Sequence, residues 1–335
     1  MKILILTQPL LNNYGCLLQN YAMQRVLERL GNQSVTFDVI LPSNLLGYVL
    51  SCMKTFMLFF IPGKRRSFAK YVKPVRRNAL SDKFVLDYLK TTKPSSKYSK
   101  NLIVQNSIDA VIVGSDQVWR PKYNFQIEDM FLRFAERLSI KRISYAASFG
   151  VDNWEYSPKQ TRKCSALARK FDAISVREES GIKLCKEYLG VDAALVLDPT
   201  LLLKKEDYLS VCEDVLVCNE KYLAVYVLNE NEEVTDAYEK EAMVRGLVVK
   251  KFHADSKATL SVPEWLAMFR DASFVVTDSF HGTVFSIIFG KDFKCIYNKS
   301  RGSARFESLL KLYNSGKIDE TREFSLNWLK SALEK

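Results

Sequence analysis

Short apolar runs alternate with helical patterns along the whole chain, and the alternation restarts once. Ile3–Leu6 is a first apolar run, ended by Gln8-Pro9. Leu17, Leu18, Tyr21, Ala22, Val26, Leu27 and Leu30 then recur at helical spacing until Gly31 stops the helix. Val35–Ile40, Ala110–Val113, Arg142–Ala146 and Ala173–Val176 read as further strands. After Pro199 the pattern begins again, with strands at Tyr222–Leu228, Leu247–Phe252, Phe274–Thr277 and Phe293–Ile296. Helices are expected at Glu232–Val244, Pro263–Phe269, Gly282–Phe289, Arg305–Leu312 and Leu326–Leu333. Strand–helix alternation implies parallel sheets with helices on their faces. One restart in 335 residues implies two Rossmann-like lobes, 1–190 and 191–335, with the last helix able to pack back on the first lobe.

Composition narrows the class. Hydrophobic residues make up 47% of the chain, enough for real cores. The formal net charge of +11 favours anionic partners, whether phosphorylated substrates, acidic membrane surfaces or nucleic acid. Seven cysteines form no C-x-x-C pair, which argues against a disulfide framework or a structural zinc site and for a reducing cytoplasm. The first residues are too short a run for a secretory signal. One stretch, within an insertion spanning 44–97, breaks the pattern. Leu45 to Ile61 is apolar apart from Lys54, and Lys64, Arg65, Arg66, Lys70, Lys73, Arg76 and Arg77 follow with no acid among them. A membrane span needs about 20 apolar residues, so this run is short for one. It reads either as a buried insertion with a solvated basic face or as a peripheral contact, over 45–77, with an anionic membrane surface.

Ligands of open parallel sheets sit at the carboxyl ends of strands, where helix N-termini favour anions. The residues after each strand are therefore the candidates. Asn13-Tyr14-Gly15 follows the first strand, and Gly15 lets backbone approach a ligand or simply makes a turn. Ser115, Asp116, Gln117 and Trp119 follow the third; they suit sugar hydroxyls and an aromatic platform, or a helix cap beside a core tryptophan. Arg177 ends a strand and can hold a carboxylate or phosphate, or pair internally with Glu178 or Glu179. Asp198 precedes Pro199 and reads as structural. The densest group is Ser279-Phe280-His281-Gly282: a strand ends and His281, one of two histidines, opens an apolar helix. That placement suits proton transfer beside a phosphate. Arg301 and Arg305 can add cationic clamps. Nothing resembles a metal cluster or a nucleic-acid motif.

These stretches, in this order, resemble the polysaccharide pyruvyl transferase family. They are Asn13-Tyr14-Gly15 with Leu18-Gln19-x-Tyr21-Ala22, Val113 to Trp119, Ser175-Val176-Arg177-Glu178, Asp198-Pro199-Thr200-Leu201-Leu202, and Thr277 to Gly282. The resemblance implies a GT-B-like fold with parallel sheets facing an inter-lobe cleft. It also implies phosphoenolpyruvate as donor; with no metal cluster and no nucleic-acid motif among the residues, no cofactor, no metal and no nucleic acid is expected beside it. The acceptor it implies is a sugar of a cell-surface glycan or its lipid-linked precursor, and the location is cytoplasmic, at or near the membrane's inner face. On this basis His281 and Asp116 are expected to be catalytic. Arg177, Ser279, Phe280, Gly282, Arg301 and Arg305 are expected to hold the donor. Asn13, Tyr14, Gly15, Ser115, Gln117 and Trp119 are expected to meet the acceptor. Some members carry Arg-Leu-His-Gly where this chain has Ser279-Phe280-His281-Gly282. The arginine that helps hold the donor there is absent here, and Arg301 or Arg305 is the expected substitute. The alternatives are a GT-B glycosyltransferase using a nucleotide sugar and a non-catalytic glycan- or nucleic-acid-binding protein.

Overall fold

The computed structural model describes residues 1–39, 77–124, 126–254, 259–296 and 303–334. The first sheet has six parallel strands: β1 (Lys2–Leu6), β2 (Gln33–Thr36), β3 (Ala110–Val113), β4 (Lys141–Ala147), β5 (Ala173–Val176) and β6 (Ala194–Leu195). Their order is β2-β1-β3-β4-β5-β6. The second has four parallel strands, β7 (Tyr222–Tyr226), β8 (Val248–Lys251), β9 (Phe274–Thr277) and β10 (Phe293–Cys295), in the order β10-β9-β7-β8. Central strands β1, β3, β7 and β9 are buried almost throughout, which is why they read as unbroken apolar runs.

The helices are α1 (Tyr14–Arg29), α2 (Ala79–Tyr88), α3 (Lys100–Gln105), α4 (Pro158–Ala168), α5 (Glu179–Leu184) and α6 (Lys205–Leu209), then α7 (Glu232–Arg245), α8 (Val262–Asp271), α9 (Phe280–Ile288), α10 (Ala304–Asn314) and α11 (Ile318–Glu334). In each sheet the strand order reverses once, between β1 and β3 and between β7 and β9. Ligands of such sheets bind at those points. The two helices that open there are α1 and α9, and both belong to one continuous apolar core. Tyr14 donates its hydroxyl to the carbonyl of Leu260 at 2.6 Å and meets the edge of Trp265, so α1 of the first lobe is seated on the second.

The chain leaves the first sheet a few residues after the expected lobe boundary at residue 190. Ala194–Leu195 pairs with β5, so the change of sheet falls between Leu195 and Tyr222. Helix α11 returns to the first sheet: Leu197 N–H donates to Ser325 Oγ at 3.0 Å, and Trp328 lies beside Tyr145. Most of 45–77, with its membrane reading, lies outside the described residues. Arg77 is described, and it pairs with Asp38 at 2.8 Å and Asp82 at 2.7 Å. Helix α2 stacks Phe84 on Tyr88, and both meet Tyr21 of α1 edge-on. No helix among the described residues is long and apolar enough to cross a membrane.

Candidate active site

Four strand ends deliver one buried charged cluster. Asp116 follows β3, Arg177 follows β5, Asp198 follows β6 and His281 opens α9 after β9. Arg177 donates one terminal nitrogen to Asp198 Oδ2 at 2.6 Å and the other to Asp116 Oδ1 at 2.9 Å. Asp198 Oδ1 accepts from the Thr200 N–H and hydroxyl at 3.1 and 2.7 Å. Ser115 donates to Asp198 Oδ2 at 3.1 Å and accepts from the Asp116 N–H at 2.6 Å. Asp116 holds a left-handed backbone, φ 70°, which turns its carboxylate toward Arg177. Burial raises the proton affinity of both aspartates, but Arg177 and His281 offset it and hold both carboxyls below the usual range.

His281 reaches across the cleft into this cluster. Its Nε2 lies 2.8 Å from Gln19 Nε2 of α1 and 4.0 Å from Asp198 Oδ2. Burial is the largest influence on the ring; it outweighs the attraction of Asp198 and Asp116 and pushes the pKa down to about 4. The imidazole is therefore neutral near pH 7. The phenyl ring of Phe280 carries a guanidinium at 4.7 Å (Arg177) and another at 5.6 Å (Arg305). Arg305, on α10, is 8% exposed. Its Nε is buried with no hydrogen-bond partner, and burial followed by repulsion from Arg177 pushes its pKa down to about 10. Unlike Arg177, Arg305 forms no ion pair among the described residues. It is a desolvated cation that feels Asp116 and Glu178 but touches no carboxylate among the described residues. Among the described residues, no group of three or more His, Cys, Asp or Glu is placed to hold a metal ion.

Residues 13–300 match the family described as polysaccharide pyruvyl transferase. The chain belongs to the polysaccharide pyruvyl transferase family. Its fold is GT-B-like: it is similar to the UDP-GlcNAc 2-epimerase of Neisseria meningitidis at 11% identity and TM-score 0.50, over 98% of this chain and 94% of that one. The UDP-GlcNAc 2-epimerase of Methanocaldococcus jannaschii (12% identity, TM-score 0.49, 98% and 93% covered) and MurG of Acinetobacter baumannii (12%, 0.42, 100% and 91%) are also similar. No curated protein sequence matches the chain.

Within this pyruvyl transferase family fold, several expected site residues have structural contacts of their own. Trp119 is fully buried, stacks on Phe131 and donates to the Met130 carbonyl, which places it in the core. Tyr14 is equally buried as the strut to Leu260. Gly15 does permit a close approach, but to His281: a Cβ there would fall 2.1 Å from Nδ1. Asn13 caps α1 through the Cys16 N–H, and Gln117 Oε1 accepts from Arg120. Ser279 caps α9, and Gly282 lets that helix press on Thr277, whose Oγ1 lies 2.2 Å from where a Cβ would stand. Arg177 is an internal ion-pair bridge, though its partners are Asp116 and Asp198 and not its chain neighbours; each terminal nitrogen gives one of its two hydrogens to them, and the buried Nε has no hydrogen-bond partner. Glu178 instead accepts from the Phe149 and Gly150 amides. Arg301 lies outside the described residues. Two members of the cluster were missed as site residues, Asp198 and Gln19. Both stood in the stretches that carry the family likeness. A groove of about 510 Å³ elsewhere, lined by Leu203, Lys205, Ile287 and Arg322 among others, shares no residue with this cluster.

Proposed function

We propose that the chain transfers pyruvate from phosphoenolpyruvate to two hydroxyls of one sugar, forming a cyclic ketal and releasing phosphate. The observation that carries this reading is Arg305: a buried guanidinium with no ion-pair partner among the described residues, beside a neutral imidazole. A desolvated cation of this kind binds a carboxylate or phosphate through charge-assisted, geometrically paired hydrogen bonds. It is the substitute for the arginine that other family members carry at the position of Ser279.

The chemistry balances without an oxidant or reductant. A proton adds to the donor's methylene carbon, which becomes methyl, and the first sugar oxygen bonds to C2. The C2–O bond to phosphate breaks, phosphate leaves with its electron pair, and the second sugar oxygen bonds to C2. One hydroxyl proton is matched by the new methyl hydrogen and the other leaves with phosphate. His281, neutral at rest, takes the hydroxyl proton. The donor's negative charge beside the ring raises its proton affinity, and Asp198 at 4.0 Å stabilises the imidazolium. Arg177 holds Asp116 and Asp198 in place, and the N-terminus of α9 faces the developing anion.

The test is incubation with phosphoenolpyruvate and a panel of lipid-linked or aryl galactosides, mannosides and glucosides. The expected product has gained the mass of pyruvic acid less one water, with one phosphate released. Transfer from a nucleotide sugar and none from phosphoenolpyruvate overturns the proposal in favour of a glycosyltransferase.

A further inference from the structure

The side chain that touches the His281 ring from the opposite lobe is an amide. Gln19 sits in the second turn of α1 and is 1% exposed; its Nε2 lies 2.8 Å from His281 Nε2. An amide nitrogen has only hydrogens to offer, so the ring nitrogen it meets is the acceptor. The neutral ring then carries its proton on Nδ1, beside Gly15. Gln19 Oε1 is buried and has no partner. Burying an unpartnered carbonyl is costly, so its retention needs a reason.

We propose that Gln19 is a positioning residue that makes Nε2 the proton-accepting atom of His281, and that its unpartnered Oε1 is the acceptor held ready for the protonated ring. Rotation of the amide by half a turn replaces N–H donation to the bare Nε2 with N–H donation from the protonated Nε2 to Oε1. One side chain thus satisfies both protonation states of a buried histidine. A carboxylate at this position would fix the cation, and a hydrocarbon would leave the nitrogen bare. The charged groups around the ring are Asp198, Asp116, Arg177 and Arg305. Its own helix contributes uncharged Phe280 and Gly282, α1 contributes Gly15 and Gln19, and the preceding Asp278 is bonded to the amides of Leu228 and Asn229. The catalytic meaning rests on the pyruvyl transfer reading; the tautomer does not.

Nitrogen-15 histidine labelling tests it in the full chain, because His253 and His281 are the only histidines; a His253→Gln variant assigns the two rings. The expected result is an Nδ1–H tautomer for His281 at neutral pH. In Gln19→Glu the His281 pKa should rise by about one to three units, as for a ring gaining an adjacent opposite charge. In Gln19→Met the tautomer preference should be lost. If pyruvyl transfer is present, the acid limb of kcat/KM should move upward in Gln19→Glu by the same amount. An Nε2–H tautomer in the unsubstituted protein overturns the proposal, and that measurement stands even if both variants fail to fold. A folded Gln19→Glu protein with an unshifted His281 overturns it too. The expected tautomer and shift in a protein inert toward phosphoenolpyruvate would overturn the pyruvyl transfer reading alone.

Discussion

The missing Cβ of Gly15 would stand 2.1 Å from Nδ1 of His281, so the absence of a side chain on one lobe makes room for the histidine of the other. Gly15→Ala should force the lobes apart at this point. Overpacking of this kind costs about 1–3 kcal/mol. Thermal unfolding should show the loss, and pyruvyl transfer should fall with it. An alanine variant with unchanged Tm and turnover would mean that the lobes are not closed in solution.

Arg305 and Arg177 should separate cleanly in kinetics. Arg305→Ala should raise the donor KM roughly 10- to 100-fold, the scale of a lost hydrogen bond to a charged group, while leaving Tm nearly unchanged. Arg305→Lys should recover part of the loss. Equal donor KM values in all three proteins would remove Arg305 from the donor site.

Arg177→Ala should behave as a folding defect. It leaves Asp116 and Asp198 as buried carboxylates without their shared cation, a change that typically costs about 3–5 kcal/mol. Urea unfolding is the measurement. A variant of full stability with only a raised donor KM would return Arg177 to the donor-binding role.

His281 gives stability a pH dependence of known sign. Its folded pKa, about 4, lies below the ordinary value of 6.5. The unfolded chain therefore takes up the proton first as pH falls. The histidine's contribution is fully present above pH 6.5 and is lost as pH drops toward 4. The difference is on the order of 3 kcal/mol. Comparing urea midpoints of unsubstituted and His281→Gln proteins at pH 7 and pH 4.5 isolates it, since the aspartates are common to both. Parallel losses would show that the ring is not buried neutral. In activity, His281→Gln should lose at least about a hundredfold in kcat.

Trp119→Phe should lose about 1–3 kcal/mol by leaving the buried Met130 carbonyl unpaired, and should leave acceptor KM unchanged. A selective rise in acceptor KM would restore the sugar-platform reading.

Three of the buried strands were legible to the residue. Ala110–Val113, Ala173–Val176 and Phe274–Thr277 are buried parallel strands, and such strands read as continuous apolar runs. The bounds of Ala194–Leu195 could not be read ahead of Asp198, because two residues carry no period. The final helix was expected from Leu326 but begins at Ile318, since its first turns are the polar Asp319, Glu320, Thr321 and Arg322. In the site, reasoning from strand ends found Asp116, Arg177 and His281. It could not say that Trp119 turns inward, because that depends on the path of the loop. Gln19 lies inside a helix 262 residues from its partner, so only its place in a family stretch, and no local chemistry, marks it.

The chain passes from the first sheet to the second after Leu195, and α11 brings it back. Helix α10 adds a bracket to both: Ser308 and Lys311 bond to Glu179 of the first lobe, while Phe306 meets Phe280 of the second. A rigid body pinned at two separated places keeps one rotation and gives up free translation. Any opening of this cleft is then a rocking about the line through the two pins. In such a rocking His281 would leave Gln19 on an arc and return to the same seat, so the registry of the two side chains would be a property of the hinge.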